Sequence, residues 1–319
     1  MKITQANFNK LLDRNFLFEQ RPKIAAATSG GPDSMALVFL LNEWIKKKKG
    51  FLIALIVDHQ LRSESSIESK TVQKYLLSKN IKSKILKVKK NKISKKNMNE
   101  ARENRFNKLI EYCKKNNLLH LFIAHHLNDN IETFFLRKVS GSNIEGLRSM
   151  QHIVYKKNIQ ILRPLLKYEK KEIIKFNNKK KIFFVDDPSN YNLKYSRSVI
   201  RDFLLNNSKH NKQIKNDFEL IINYFPKYRK MIFQILHNLV INISAKKVSI
   251  LSKDFFDYDR EIQIKIIELI YKFLMPNRNF LRYKKIMDSI LKLKINDESK
   301  TNLGGMHIKK DQFLINFSY

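Results

Sequence analysis

Residues 28–34 read Thr-Ser-Gly-Gly-Pro-Asp-Ser and combine the side chains and backbone freedom that phosphate binding requires. Two adjacent glycines let the chain turn tightly and approach a ligand closely. Pro32 suits the first turn of a helix, whose free N–H groups and positive dipole end attract an anion. Ser29 and Ser34 add hydroxyl donors. We predict that this segment, the Gly-Gly loop, binds phosphate; an ordinary strand-to-helix turn is the alternative. It is not a Walker loop, because no Lys-Ser/Thr pair follows the glycines.

Three carboxylates could supply acid–base or cation-binding chemistry. Asp33 lies inside the Gly-Gly loop, and Asp129 and Glu132 lie three residues apart at the start of a predicted helix, on one face. We predict that all three are catalytic and that they hold a cation, either a metal ion or a positively charged substrate. Helix capping is the alternative role for Asp129 and Glu132. His125 and His126 precede them, but adjacent residues at a strand end point to opposite faces, which disfavours a zinc site.

The strands that must position these residues are predicted from short apolar runs. Runs at 23–28, 51–57 and 119–124 are each followed by polar residues: the Gly-Gly loop, Asp58-His59, and 125–132. Helical patterns separate the strands, which predicts right-handed crossovers and a parallel sheet. Ligands bind beyond the carboxyl ends of such strands, so we expect the three polar clusters to form one site.

The rest of the chain predicts two domains. Further strands are expected at 85–88, 159–162 and 182–185, so that an α/β domain occupies residues 1–205. Residues 206–319 form the second predicted domain. Its pattern is mainly helical, without strand runs up to about residue 295. Its tail alternates weakly between apolar and polar residues, which predicts a small terminal hairpin or a single strand.

Composition restricts the class of partner and the compartment. The 319 residues include 63 Lys and Arg against 29 Asp and Glu, a net charge of +34, which suits nucleic acid. Lysine outnumbers arginine 49 to 14, so a compositional bias with lysine coating the surface is the alternative. Cys113 is the single cysteine, which excludes a disulfide framework and a Cys-pair metal site and indicates a cytoplasmic setting. No apolar run reaches the roughly 18 residues of a membrane span.

An ordered set of motifs extends over about residues 25–201. The Ser-Gly-Gly-x-Asp-Ser string resembles the signature of the PP-loop ATP pyrophosphatases, and the full set resembles the tRNA(Ile)-lysidine synthase family within them. The matching residues are Ser29 to Ser34, Val57-Asp58-His59 with Leu61-Arg62, Glu100-Ala101-Arg102 with Arg105, Ala124-His125-His126, Asp129, Glu132-Thr133, Arg163-Pro164-Leu165, Asp187-Pro188-Ser189-Asn190, Arg197 and Arg201.

The resemblance implies a PP-loop adenylation domain followed by a smaller, mainly helical domain that binds tRNA. It implies ligation of lysine to C2 of the wobble cytidine of a minor isoleucine tRNA with a CAU anticodon, through an adenylated cytidine. ATP, Mg²⁺ and free lysine are then required. Two alternatives are another PP-loop tRNA-modifying enzyme of the thiolase type and a non-catalytic basic RNA-binding protein. The sequence does not determine the oligomeric state, and a homodimer is among the states that it allows.

The resemblance also assigns roles to individual residues. The ATP-binding set is Ser29, Gly30, Gly31, Pro32, Asp33, Ser34, Asp58 and Arg102. The substrate and tRNA set is Arg62, Arg105, His125, Arg197 and Arg201. A surface salt bridge is the alternative role for Arg102, Arg105 and Arg197. The expected ligands of Mg²⁺ are Asp33 and Asp129. The sequence departs from the family pattern at Asn128 and Asn130, where the family has Asp and Gln. It is also shorter than the long family members, which carry a further C-terminal domain.

Overall fold

The structure is a computed structural model that describes residues 2–58, 65–87, 98–185, 196–278, 281–296 and 298–319. The chain divides into two compact units, Met1–Ile221 and Ile222–Tyr319. The predicted domain division after residue 205 lies nearer the N-terminus than this boundary, which falls inside a long helix.

The first unit is built on a mostly parallel sheet. Within the described ranges its six strands follow the order β3-β2-β1-β4-β6-β5, and only the edge strand β5 is antiparallel to its neighbour. The strands are β1 (Lys23–Thr28), β2 (Phe51–Asp58), β3 (Ser83–Lys87), β4 (His120–Phe122), β5 (Ile153–Lys156) and β6 (Ile159–Leu162). The chain runs outward in opposite directions from the central pair β1 and β4, which creates a crevice at their carboxyl ends.

Helices connect these strands, as the alternating sequence pattern predicted. They are α1 (Gln5–Asn15), α2 (Pro32–Lys47), α3 (Ser65–Ser78), α4 (Met98–Lys115), α5 (Leu127–Val139), α6 (Ile144–Leu147), a short 3-10 helix (Pro164–Lys167), α7 (Lys170–Lys180), α8 (Ser196–Asn206) and α9 (Ser208–Leu239), which crosses the unit boundary. No helix in the described ranges has both the length and the apolar character needed to cross a membrane.

The sheet of the first unit is buried on both faces. Along β1, Ile24 and Ala26 join one apolar cluster with α1 and α2, while Ala25 joins a second cluster with α4. Such a two-sided core explains why the strands read as continuous apolar runs rather than as alternating ones. Trp44 of α2 is buried in the first cluster, and its Nε1 donates to Asp13 Oδ1 at 3.2 Å.

The second unit contains more strand than the sequence predicted. An antiparallel sheet of order β7-β8-β11-β10-β9 packs with helices around one apolar core in the described part of this unit. Its elements are β7 (Val240–Ile243), β8 (Lys247–Leu251), α10 (Ser252–Asp257), α11 (Arg260–Leu274), α12 (Tyr283–Ile295), β9 (Ser299–Leu303), β10 (Met306–Lys310) and β11 (Leu314–Ser318). The expectation of no strand before about residue 295 was wrong, while the expected terminal hairpin is present as β10 and β11.

Candidate functional site

The Gly-Gly loop connects β1 to α2 and adopts a conformation that requires glycine. Gly30 has φ +88°, and a Cβ atom there would lie 2.6 Å from Val72 Cγ2 on α3. Gly31 is the N-cap of α2, with no side-chain cap hydrogen bond, and Pro32 occupies the first turn. No capping side chain therefore accepts hydrogen bonds from the backbone N–H groups at the start of this helix. These groups can donate to a bound anion instead.

The two serines of the loop are hydrogen-bonded to each other and to the loop backbone. Ser34 Oγ accepts from the Ser29 N–H at 3.2 Å and donates to the Gly31 carbonyl at 3.0 Å. The two hydroxyl oxygens lie 3.2 Å apart. This network stabilises a tight loop that follows β1 directly, so the loop is held before any ligand arrives.

The second predicted segment begins α5 with a capping box. His126 is the N-cap; its Nδ1 accepts from the Asp129 N–H at 3.3 Å, and its own N–H donates to Asp129 Oδ2 at 3.0 Å. The capping alternative for Asp129 is therefore present in the structure. Capping does not exclude ligand binding, since a carboxylate accepts more than one hydrogen bond.

His126 also lies between two of the predicted catalytic carboxylates. Its Nε2 is 3.7 Å from Asp33 Oδ2 and 3.5 Å from Asp129 Oδ2. Because Nδ1 accepts a backbone N–H, the ring proton of the neutral imidazole is on Nε2, facing both acids. The structure therefore brings together Asp33 and Asp129, which the sequence separates widely, and joins them through a buried histidine that the sequence-based site did not include.

Asp33 has the properties expected of a cation ligand. Its Oδ1 atom is buried without a hydrogen-bond partner among the described residues, and Lys170 Nζ lies 3.4 Å from Oδ2. Among those residues no three His, Cys, Asp or Glu side chains form a metal-binding group. Mg²⁺ at nucleotide sites needs only one or two carboxylates together with phosphate oxygens, so Asp33 and Asp129 fit it.

The charge state of Asp129 follows from its neighbours. Burial alone would raise the pKa of its carboxyl. The positive charges that His126 and His125 carry when protonated, the His126 backbone N–H and Arg201 together outweigh burial and lower that pKa below its ordinary value. Asp129 is therefore an anion at neutral pH.

Glu132 has a strong partner within the protein. Arg201 of α8 donates from Nε to Oε1 at 2.9 Å and from Nη2 to Oε2 at 3.2 Å, and the Glu132 side chain is only 4% exposed. The hydrogen bonds to Glu132 raise the pKa of Arg201 further. The ion pair thus connects α5 to α8, and it engages two side chains that the sequence assigned to catalysis and to tRNA.

A cavity of about 380 Å³ opens at the carboxyl ends of β1, β2 and β4. Six predicted site residues line it: Ser29, Asp33, Ser34, Arg105, His125 and Asp129. Other lining residues come from β2, α3 and α4, namely Val57, Ser65, Glu68, Ser69, Phe106 and Leu109. The cavity combines the Gly-Gly loop and the carboxylates of Asp33 and Asp129 with apolar walls of the kind that nucleobases occupy.

The remaining predicted residues have other places. Asp58 does not line the cavity; it is 2% exposed and accepts from the hydroxyls of Ser65 at 2.8 Å and Ser66 at 2.6 Å, at the start of α3. Arg62 and the 187–190 motif lie outside the described residues, as do the side chains of Arg102 and Arg197.

The two departures from the family pattern both make structural contacts. Asn128 Oδ1 accepts from the Lys170 N–H at 3.0 Å, at the start of α7. Asn130 is buried and exchanges two hydrogen bonds with the backbone of Met150, at 3.3 and 2.7 Å. Their sequence position gave no indication of these partners, which lie 42 and 20 residues away.

Comparison with known proteins identifies relatives over most of the chain. Residues 1–208 match the family model of the PP-loop domain, ATP_bind_3. A tRNA(Ile)-lysidine synthase of Rickettsia felis is 32% identical over 299 residues, which cover 91% of this chain and 68% of the relative. One of Orientia tsutsugamushi is 35% identical over 200 residues, covering 63% of this chain and 45% of the relative. The aligned part thus spans less than half the length of the Orientia protein.

A solved structure shares the fold. The U34-tRNA thiolase NcsA from Methanococcus maripaludis superposes with a TM-score of 0.57 and 21% sequence identity, over 70% of this chain and 77% of that one. At this identity the likeness supports the PP-loop fold alone.

Proposed function

Because this chain belongs to the PP-loop family and, within it, to the tRNA(Ile)-lysidine synthases, we propose that it joins lysine to C2 of the wobble cytidine of an isoleucine tRNA with a CAU anticodon. The observation that supports this most directly is the cavity at the ends of β1 and β4. One side of it is a phosphate-type loop, and the other carries the carboxylate of Asp129.

The first step of the proposed reaction is adenylation. The C2 carbonyl oxygen of the cytidine attacks the α-phosphorus of ATP, and pyrophosphate leaves. The Gly-Gly loop, with its serine hydroxyls and the N–H groups of α2, supports phosphate binding. Asp33 and Asp129 would hold Mg²⁺, which neutralises phosphate charge when bound. Since the wobble base lies in a single-stranded loop, moving it out of the stack costs little.

The second step replaces oxygen by nitrogen at C2. The ε-amine of lysine attacks C2, the C–N bond forms, and the C–O bond breaks with AMP as the leaving group. The ammonium must first lose a proton, for which a nearby carboxylate is the natural acceptor. We assign Asp129 and Glu132 to selection of the cationic amino acid. Asp129 lines the cavity, where a neutral amino acid would leave its charge without a cationic partner at a cost of about 1–3 kcal/mol. Glu132 is not among the lining residues, and it acts from its ion pair with Arg201.

The thiolase alternative meets an obstacle in the single cysteine. Cys113 is fully buried on α4, and burial raises the pKa of its thiol to about 12. Sulfur transfer needs an accessible thiolate or a cysteine-bound cluster. A single inert thiol provides neither of these. The single cysteine is also consistent with the reducing cytoplasm, which we propose as the location of the protein.

Mass analysis of nucleosides from tRNA treated with the protein, ATP and isotopically labelled lysine tests the proposal. We expect one nucleoside to gain the labelled lysine, with AMP and pyrophosphate released in equal amounts. A folded protein that binds tRNA but yields only unmodified nucleosides would contradict it. ATP–pyrophosphate exchange, measured with and without tRNA, separates the enzyme from a non-catalytic RNA-binding protein.

A further inference from the structure

Arg163 belongs to a motif that the proposed function leaves without a role. It follows β6, and its guanidinium makes two contacts across the end of the sheet. Nε donates to His125 Nδ1 at 3.3 Å, and Nη1 donates to the Gln151 carbonyl at 2.9 Å. His125 lines the cavity beside Asp129. Through His125, the arginine therefore reaches the candidate site.

The backbone of Arg163 is held as firmly as its side chain. Its N–H donates to the His152 carbonyl at 2.9 Å, and its carbonyl lies 3.1 Å from His152 Nδ1. Burial, with Lys167 and Arg163 nearby, lowers the pKa of His152, so that residue stays neutral while it donates to the carbonyl. The guanidinium thus approaches His125 from an anchored position.

The contact fixes the tautomer of His125. A guanidinium has only donors and stays protonated at every physiological pH. Nδ1 of His125 must therefore be the acceptor, and a neutral imidazole that accepts at Nδ1 carries its proton on Nε2. The ring is then a hydrogen-bond donor at Nε2 and cannot take a proton at Nδ1 without losing Arg163.

We propose that Arg163 is a positioning residue that holds His125 as a neutral Nε2–H donor to an oxygen atom of the nucleotide bound in the cavity. The inference rests on the proposed ATP- and tRNA-dependent function for the identity of that nucleotide. The tautomer itself rests on the contacts alone.

Nitrogen-15 NMR of the histidine-labelled full chain measures the tautomer. The chain has eight histidines, and a His125→Gln variant assigns the signal. We expect wild-type His125 to show a protonated Nε2 and an unprotonated Nδ1. In Arg163→Met this single form should give way to a mixture, whereas Arg163→Lys, which keeps a cationic donor, should retain more of it.

Arg148→Met is the matched control. Arg148 Nη2 donates to the Gln151 side chain, so its loss disturbs the same loop without removing the donor to His125. The tautomer should then be unchanged. A proton on Nδ1 in the wild type would overturn the proposal, and this holds even if Arg163→Met fails to fold. An unaltered His125 signal in a folded Arg163→Met would overturn it equally.

The donor role is tested by two substitutions of similar size. His125→Gln keeps an N–H donor, while His125→Glu offers only acceptors at neutral pH. We expect the Glu variant to lose about 100-fold or more in kcat for AMP formation and the Gln variant to lose less. Equal losses would overturn the donor role. If the wild type makes no lysidine, the proposed function is wrong, but the affinity of the Gln and Glu variants for ATP still tests whether His125 is a donor. The two proposals can therefore be contradicted independently.

Discussion

The two oxygens of the Asp33 carboxylate lie in different surroundings. Oδ2 faces Lys170 and His126, whereas Oδ1 is buried without a partner in the described part of the chain. An unpaired buried carboxylate oxygen is costly unless a ligand satisfies it. We expect Asp33→Asn to abolish lysidine formation, because a neutral amide holds a divalent cation far more weakly than a carboxylate does, while a thermal melt shows a folded protein. Near wild-type turnover would remove Asp33 from the proposed site.

The lowered pKa of Asp129 predicts a specific pH dependence of stability. An unfolded Asp titrates near pH 3.9, and the folded pKa is lower. The contribution of Asp129 is therefore fully present above about pH 4 and is lost as pH falls through the folded pKa. Denaturant unfolding between pH 5 and 3 should show a steeper loss of unfolding free energy in the wild type than in Asp129→Asn. Parallel curves would contradict this assignment.

Glu132 has to be tested in a way that separates its ion pair from substrate recognition. Glu132→Gln removes one charge of a buried pair with Arg201, so we expect a lower melting temperature together with a raised KM for lysine. ATP–pyrophosphate exchange should change less. Arg201→Gln is the control, because it breaks the same pair but leaves the carboxylate. Unaltered lysine kinetics in a destabilised Glu132→Gln would leave Glu132 a structural role only.

The sequence located these side chains but not their partners. Asp129 and Glu132 were placed correctly at the start of a helix, because the apolar pattern marks where α5 begins. The partner of Glu132 is 69 residues away, and no local pattern encodes such a contact. His126 was passed over, since adjacent histidines were judged only as zinc ligands and not as a buried residue between two acids.

At the scale of elements, the central strands were predictable because two-sided burial gives continuous apolar runs. The run at residues 182–185 misled for the same reason: the prediction of a strand there was wrong. In the structure the Val185 N–H donates to the Gly30 carbonyl at 2.9 Å, and the Phe183 N–H donates to Tyr75 Oη at 3.0 Å. The segment packs beside the Gly-Gly loop and α3 instead of joining the sheet.

The edge strand β5 and the strands β7 to β9 escaped prediction for a different reason. They are short, and the turns after β5 and β7 lack the usual Asn-Gly signal: Lys157 and Asn158 both adopt positive φ between β5 and β6, and residues 244–246 connect β7 to β8. Hydrophobic periodicity over four or five residues does not distinguish such strands from helix ends.

The start of α7 provides a prediction at this scale. Asn128 caps it through the Lys170 N–H, and the family pattern has Asp at this position. A carboxylate at a helix N-terminus gains about 0.3–1 kcal/mol from the dipole. We expect Asn128→Asp to raise the melting temperature slightly without loss of turnover, while Asn128→Ala lowers it. A lower melting temperature in Asn128→Asp would show that the added negative charge is repelled by Asp129.

At the scale of the whole molecule, the excess of positive charge extends over both units. Residues 1–221 carry 45 Lys and Arg against 20 Asp and Glu, and residues 222–319 carry 18 against 9. The net charges of +25 over 221 residues and +9 over 98 residues are similar per residue, so both units are basic to a similar degree. The candidate site therefore lies in the unit that carries most of the positive charge.

This division predicts how tRNA affinity depends on salt. Each phosphate contact releases counterions, so affinity should fall steeply as salt rises. We expect a 1–221 fragment to bind tRNA more weakly than the full chain and with a shallower salt dependence, because the second unit adds contacts but no catalytic group. Gel-shift titrations at several salt concentrations measure both quantities. The full-length double variant Lys292→Gln/Lys294→Gln removes the charge of two exposed lysines of α12. It should also bind tRNA more weakly than the wild type, although no part of the chain is deleted. Equal affinity and equal salt dependence in all three proteins would show that the first unit alone binds the tRNA.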